Sequence, residues 1–208
     1  MSAVTARSAR TGVPYRLVRL HLASRHVPPC LLALAACAVA LRLALHWAPA
    51  GGPYAREIPL IVQAAAGAVI GVTTRSPFGE PERATGRWLP FLRLGTVIAL
   101  TCAAFGALAA GSVGAHLADG SLGLLRNVAG FSGITLLTAG ALGGSLSWIG
   151  PLTYLLIADY GIGVGWTTPW AWPARPPHDV GAAICAALVF AAGTAVIAVR
   201  GARDAPTE

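Results

Sequence analysis

Six apolar stretches separated by short polar breaks organise this chain. They run from about Val27 to Trp47, Ile58 to Thr73, Phe91 to Val113, Leu122 to Leu146, Ile149 to Trp166 and Val180 to Val199. A bilayer hydrocarbon core about 30 Å thick is crossed by about 20 apolar residues in helix, so each stretch is long enough or nearly so. No ten-residue alternating strands occur, and open sheet edges cannot face lipid, which leaves helices as the workable reading. The break at Ser147–Pro151 is so brief that the fourth and fifth stretches are expected to form a tight helical hairpin. The predicted fold is all-α, a polytopic membrane protein of about six transmembrane helices. It forms a single transmembrane domain over residues 1–208: a tail and amphipathic helix at 1–26, a membrane domain at 27–200 with a polar loop at 74–90, and a tail at 201–208.

The polar breaks carry an arginine asymmetry. Arg7, Arg10, Arg16, Arg19 and Arg25 precede the first stretch; Arg75, Arg83, Arg87 and Arg93 lie between the second and third; Arg200 and Arg203 follow the last. The other side holds Arg56, Arg126 and Arg175, with Arg42 near the end of the first stretch. The positive-inside rule then puts both termini and the 74–90 loop in the cytoplasm of a multi-pass protein of the cytoplasmic (inner) membrane. The basic start, the apolar run and Ala48-Pro49-Ala50 also resemble a secretory leader. The run exceeds the usual 7–15 apolar residues of a leader, so a retained first span is expected.

Two segments outside the spans have helix signals of their own. In Pro14–His26, Leu17, Val18, Leu20 and Leu22 fall at helical spacing while Arg16, Arg19, Arg25 and His26 point elsewhere, the pattern of an interfacial amphipathic helix or of a basic flank that serves only topology. Pro28 and Pro29 would set an elbow between it and the first span. In the loop TRSPFGEPERATGRWLP, Ser76-Pro77 offers an N-cap with proline at the first helical position. Glu80-Pro81-Glu82-Arg83 offers a second start, and Arg83 and Arg87 near its end suit the dipole of a short helix. A structured polar loop is more than a connection needs and suggests a surface for a soluble partner.

Composition removes several functions. Of 208 residues, 55% are hydrophobic and 11% charged, with a mean hydropathy of +0.65, against about 25% charged in ordinary soluble domains. The net charge of +7 lies in arginines beside apolar stretches, where it reports topology and lipid headgroups, so no nucleic-acid partner is expected. The chain has no lysine. It therefore carries neither a P-loop, whose lysine reaches the β/γ-phosphates, nor a Schiff-base nucleophile. Cys30, Cys37, Cys102 and Cys185 sit in apolar runs without C-x-x-C spacing, and the five histidines are scattered, so no metal site is indicated. With neither H-E-x-x-H nor G-x-S-x-G, no catalytic residue is assigned and the chain is not expected to be an enzyme.

The remaining candidates are polar groups within the spans. Asp159 is the one acid well inside a predicted span, where a carboxylate costs about 2.5–3.5 kcal/mol on insertion scales. Such a group is expected to face protein or water, as part of a substrate or ion path or as a hydrogen-bonded or arginine-paired structural acid. Tyr154 and Tyr160 offer hydroxyls to hold it. Gln63 and Arg42 are the other polar groups assigned to the spans, Gln63 as a second candidate for the path and Arg42 able to snorkel outward. Gly67/Gly71, Gly140/Gly144 and Gly161/Gly165 have the small-x-x-x-small spacing of close helix packing, within the chain or across a dimer. Trp166, Trp170 and Trp172, interleaved with prolines before the last span, read as an aromatic belt, a shallow re-entrant segment or an extracellular gate.

Taken together the pattern resembles the transmembrane permease subunits of bacterial ABC-2-type ATP-binding-cassette exporters. SPFGEPER and TTPWAWPARPPHD are similar to segments of small actinobacterial membrane proteins assigned to such exporters. The resemblance covers nearly the whole chain through architecture and not through a residue motif; the chain is also short for the family, with a brief, Pro-rich element before the last span. It implies an N-terminal elbow helix at Tyr15–His26, including Arg16, Arg19 and Arg25, and an extracellular element at Thr167–Asp179. It also implies a cytoplasmic coupling helix at Ser76–Arg87, with Ser76, Glu80, Glu82, Arg83 and Arg87 at the ATPase contact. Further implications are a homodimer or heterodimer with a second permease, a separate ABC ATPase subunit holding ATP and magnesium, and no cofactor in this chain. The substrate would be lipophilic or a peptide. Two other readings stand beside it: a small secondary transporter or channel using Asp159, and a membrane scaffold that recruits a cytoplasmic partner through the same loop.

Overall fold

The structure is a computed structural model that describes residues 27–47, 56–74, 89–115, 117, 119–165 and 167–202. Among these the chain is all-helical: α1 (Val27–Trp47), α2 (Glu57–Val72), α3 (Leu89–Gly111), α4 (Gly120–Leu142), α5 (Ile149–Val164) and α6 (Val180–Arg200), with a single 3₁₀ turn at Trp172–Ala174. Four helices, α1, α3, α4 and α6, are long and apolar enough to cross a membrane, the make-up of a membrane protein. The other two, α2 and α5, are apolar but have 16 residues each, about 24 Å at 1.5 Å per residue. The elbow segment with Arg16, Arg19 and Arg25 and the loop residues Ser76, Glu80, Glu82, Arg83 and Arg87 lie outside the described residues.

Glycine fixes two helix ends. At Gly143 φ is +96°, and α4 stops at Leu142, four residues short of the expected end. Gly165 adopts the left-handed conformation and returns its N–H to Gly161 and Ile162, ending α5 just before the tryptophan-rich segment. Pro151 falls in the first turn of α5, where its missing N–H costs no helical bond. At the start of α6, Asp179 Oδ1 accepts from the Ala182 N–H at 2.8 Å, an N-cap that the sequence reading had not assigned.

The central helix is α4. Two thirds of its membrane-length window is buried (67%), against 22–28% for the other three long helices. Its most extensive partner is α6, then α2, while α1 pairs with α2 and α3 on the far side. In lipid, helices gain little from excluding water from each other, so close backbone approach has to supply the association. A Cβ on Gly133 would lie 2.5 Å from the Phe190 nitrogen, and one on Gly193 would lie 2.5 Å from the Gly133 carbonyl oxygen. The α4–α6 crossing is therefore a contact of backbones. Gly67 meets the Phe131 backbone, and Gly71 lies against Thr135 and Ser147. The Gly67/Gly71 pair thus serves packing inside the chain. Buried Leu34, Leu41, Ile70, Leu100, Leu108 and Leu124 fill the space between α1, α2, α3 and α4.

Candidate functional site

Between α5 and α6 the chain turns inward at Ala171–Pro173, which are buried among α4, α5 and α6, while Thr167–Trp170, Pro176 and His178 are exposed. Trp172 is 2% exposed and seated against Gly130, where an added Cβ would lie 2.6 Å from the indole. Gly130 stands ten residues along α4 from Gly120, about 15 Å from that end of the helix. Tyr154 stacks on Trp172 with centroids 4.5 Å apart, and Phe131 meets Tyr154 edge-on at 5.8 Å. The Tyr154 hydroxyl donates to the Trp170 carbonyl at 2.6 Å. It is therefore committed to the re-entrant segment and not to Asp159 as the sequence suggested. Trp172 is thus packed inside the bundle, whereas Trp170 is 44% exposed.

Arginines hold this segment by its carbonyls. Arg126, inside α4 and 5% exposed, donates to Pro176 O at 2.7 Å and Arg175 O at 3.0 Å. Arg56, just before α2, donates to Pro173 O at 2.7 Å and pairs with Asp119 at 3.3 Å. Arg175 is bound by Asp179 through Nε at 2.7 Å. Asp179 is held below the ordinary carboxylate pKa, first by the Ala182 N–H and then by Arg175. Arg42 donates to the Val113 carbonyl, joining the ends of α1 and α3. Arg42, Arg56, Arg126 and Arg175 thus each have a structural partner at one end of the bundle. A planar, permanently charged fork suits bonding to two carbonyls at once, which is the role of Arg126.

Below this clamp a line of polar side chains follows the α2–α4 contact. Gln63 and Asn127 each stand four residues before the Gly67–Phe131 approach, on helices running the same way, so they lie at one level. Both are buried, at 3% and 0% exposure. Gln63 Oε1 and both polar atoms of Asn127 have no hydrogen-bond partner among the described residues, and neither does Ser132 Oγ. The hydroxyls nearer the far end are satisfied locally: Thr135 donates to Phe131 O, Ser147 to Gly144 O, and Thr73 and Thr74 to Ile70 O and Gly71 O. A void of about 10 Å³ adjoins Arg56, Gln63 and Asp119, about the space of one water. Buried amides of this kind call for water or a polar ligand.

Of the two residues expected on a path, Gln63 lies in this seam and Asp159 does not. Asp159 is exposed on the outer surface of α5. From the sequence Arg126 read only as a topology marker and Trp172 only as part of a belt or outer element, and Asn127 did not stand out. The adjacent Arg126-Asn127 pair inside an apolar stretch bracketed by Gly123, Gly130 and Gly133 was the available signal. No protein-family model, curated protein or solved structure matches this chain.

Proposed function

We propose that this chain is the membrane-spanning half of a two-component exporter. It crosses the cytoplasmic membrane six times with both termini inside, dimerises with itself or a second permease, and is driven by a separate ABC ATPase bound at the 74–90 loop. The observation that carries this reading is the segment between α5 and α6 folded back into the bundle, where the resembled permeases have a hydrophobic extracellular element. Support for the coupling comes from α2. One end leads into the 74–90 loop, and at the other Arg56 grips the Pro173 carbonyl of the re-entrant segment. A push on the loop by closing ATPase subunits would travel along α2 as a rod about 24 Å long. Gly67 and Gly71 would carry it into α4 through their close contacts. The re-entrant segment would loosen at the far side and open an outward route for a lipophilic or peptide substrate. Glu80, Glu82, Arg83 and Arg87 make the coupling contact in this scheme. Their joint replacement by alanine is expected to abolish co-purification of the ATPase; an ATPase that still co-purifies and hydrolyses ATP normally overturns the assignment.

A second reading is favoured by the unpartnered buried amides at Gln63 and Asn127: transport by the chain alone on an ion gradient, with the α2–α4 seam as the hydrated path. It predicts flux in liposomes holding only this protein, without ATP, and loss of that flux in Gln63→Leu.

A further inference from the structure

Beside the clamp, α4 and α6 diverge to leave a lateral groove of about 690 Å³. Its walls are Leu122, Leu125 and Ala129 of α4 and Val180, Ile184 and Ala187 of α6, and its closed end is Phe190. Leu122, Leu125, Val180 and Ile184 are exposed. Both walls belong to helices long and apolar enough to cross a membrane, so the groove opens toward lipid in the half of the bilayer next to the re-entrant segment. In that setting the surrounding solvent is acyl chain, and the size falls within the roughly 300–1,000 Å³ of small-molecule pockets.

The other end of the groove is charged. Arg126, His178 and Asp179 line it. Of the two acids nearby, Asp119 is bonded to Arg56 and Asp179 to Arg175; both lie close enough to act on Arg126, and neither is bonded to it. Among the described residues Arg126 is left with neutral carbonyl partners, and its Nε–H has none. A cation that is 5% exposed at membrane depth and lacks a bonded counter-ion favours an anion beside it. His178, exposed at the rim, is placed to add a second donor.

We infer that this groove binds one anionic phospholipid of the membrane, with an acyl chain along α4 and α6 and the phosphate at the Arg126–His178 end. The inference rests on membrane placement alone and is independent of the exporter reading. It is tested on the full chain in mild detergent, with phosphatidylglycerol or phosphatidylcholine added and bound lipid counted by native mass spectrometry. One phosphatidylglycerol is expected per chain, retained about tenfold over phosphatidylcholine. Ala187→Trp, which fills the groove, is expected to reduce retention at least about tenfold, while Leu156→Trp on the exposed face of α5 leaves it unchanged. Phosphatidylglycerol with a photoreactive group in its acyl chain should label the peptides holding Leu125 and Ile184, a readout independent of any variant. Equal retention of the two lipids overturns the charged end. Retention that survives Ala187→Trp, labelling elsewhere, displacement by inorganic phosphate alone, or cross-linking of Ala187→Cys between two copies each overturns the lipid as occupant.

Discussion

Adding one methyl group at Gly130 tests whether Trp172 is seated as described. A Cβ there would lie 2.6 Å from indole carbons Cε2 and Cζ2, whereas carbon atoms pack at about 3.5–4.0 Å. The ring has to retreat by about 1 Å, and overpacking of this kind costs about 1–3 kcal/mol. Against it stand the bonds from Arg56 to Pro173 O and from Arg126 to Pro176 O and Arg175 O, each worth about 1.5–3 kcal/mol as a bond to a charged group. The bonds outweigh the clash, so Gly130→Ala should loosen the segment without expelling it, raising the unseated fraction about 5- to 150-fold. The assay is maleimide labelling of a single cysteine at Ala171, which is fully buried, in a chain whose Cys30, Cys37, Cys102 and Cys185 are alanine. With opening fast relative to labelling, the rate follows the open population. Gly106→Ala, whose Cβ meets nothing within 4 Å, serves as control and leaves the rate unchanged. A Gly130→Ala rate equal to the parent's, or a parent that labels Ala171→Cys as fast as an exposed site, refutes the seat.

Two other outcomes follow from the same contacts. Gly133→Ala places a Cβ 2.5 Å from the Phe190 nitrogen, a backbone atom that cannot rotate away. It should destabilise the protein by about 1–3 kcal/mol in detergent unfolding, whereas Gly106→Ala does not destabilise. Because the Asp179 carboxyl is held below its ordinary pKa by the Ala182 N–H and Arg175, its stabilising contribution is complete above about pH 4 and is lost as pH falls through the lowered value. The protection of the Ala182 amide, its hydrogen-exchange rate taken relative to the unstructured rate at the same pH, should therefore fall at acid pH in the parent, and Asp179→Asn should remove that dependence.

Much of the helical layout was legible because apolar run length is a direct record of burial in lipid. The first stretch matches α1 at Val27–Trp47, and α2, α3 and α6 begin and end within two residues of expectation. The ends at Leu142 and Val164 were overrun because Gly140, Gly143 and Gly144, or Gly161, Gly163 and Gly165, offer several equivalent stops. Only tertiary packing selects one. The clamp was not legible for a different reason. Arg126 has the same sequence signature whether it marks a loop or donates to carbonyls inside a bundle, and Trp172 reads as well as belt as it does as an inward-turned segment. Which holds depends on Gly130 making room for the indole, a contact between residues far apart in the chain. Asp159, conspicuous as a lone acid, is on the exposed face of α5, while the buried amides are Gln63 and Asn127.

The central claim is that a separate ATPase works this chain through the 74–90 loop. Its most direct test is a photoreactive amino acid at Glu82, cross-linked in native membranes and identified by mass spectrometry. The account predicts an adduct with an ABC ATPase subunit, abolished when Arg83 and Arg87 are replaced by alanine. An adduct with a protein that hydrolyses no nucleotide, or an ATPase adduct indifferent to those two arginines, would contradict it.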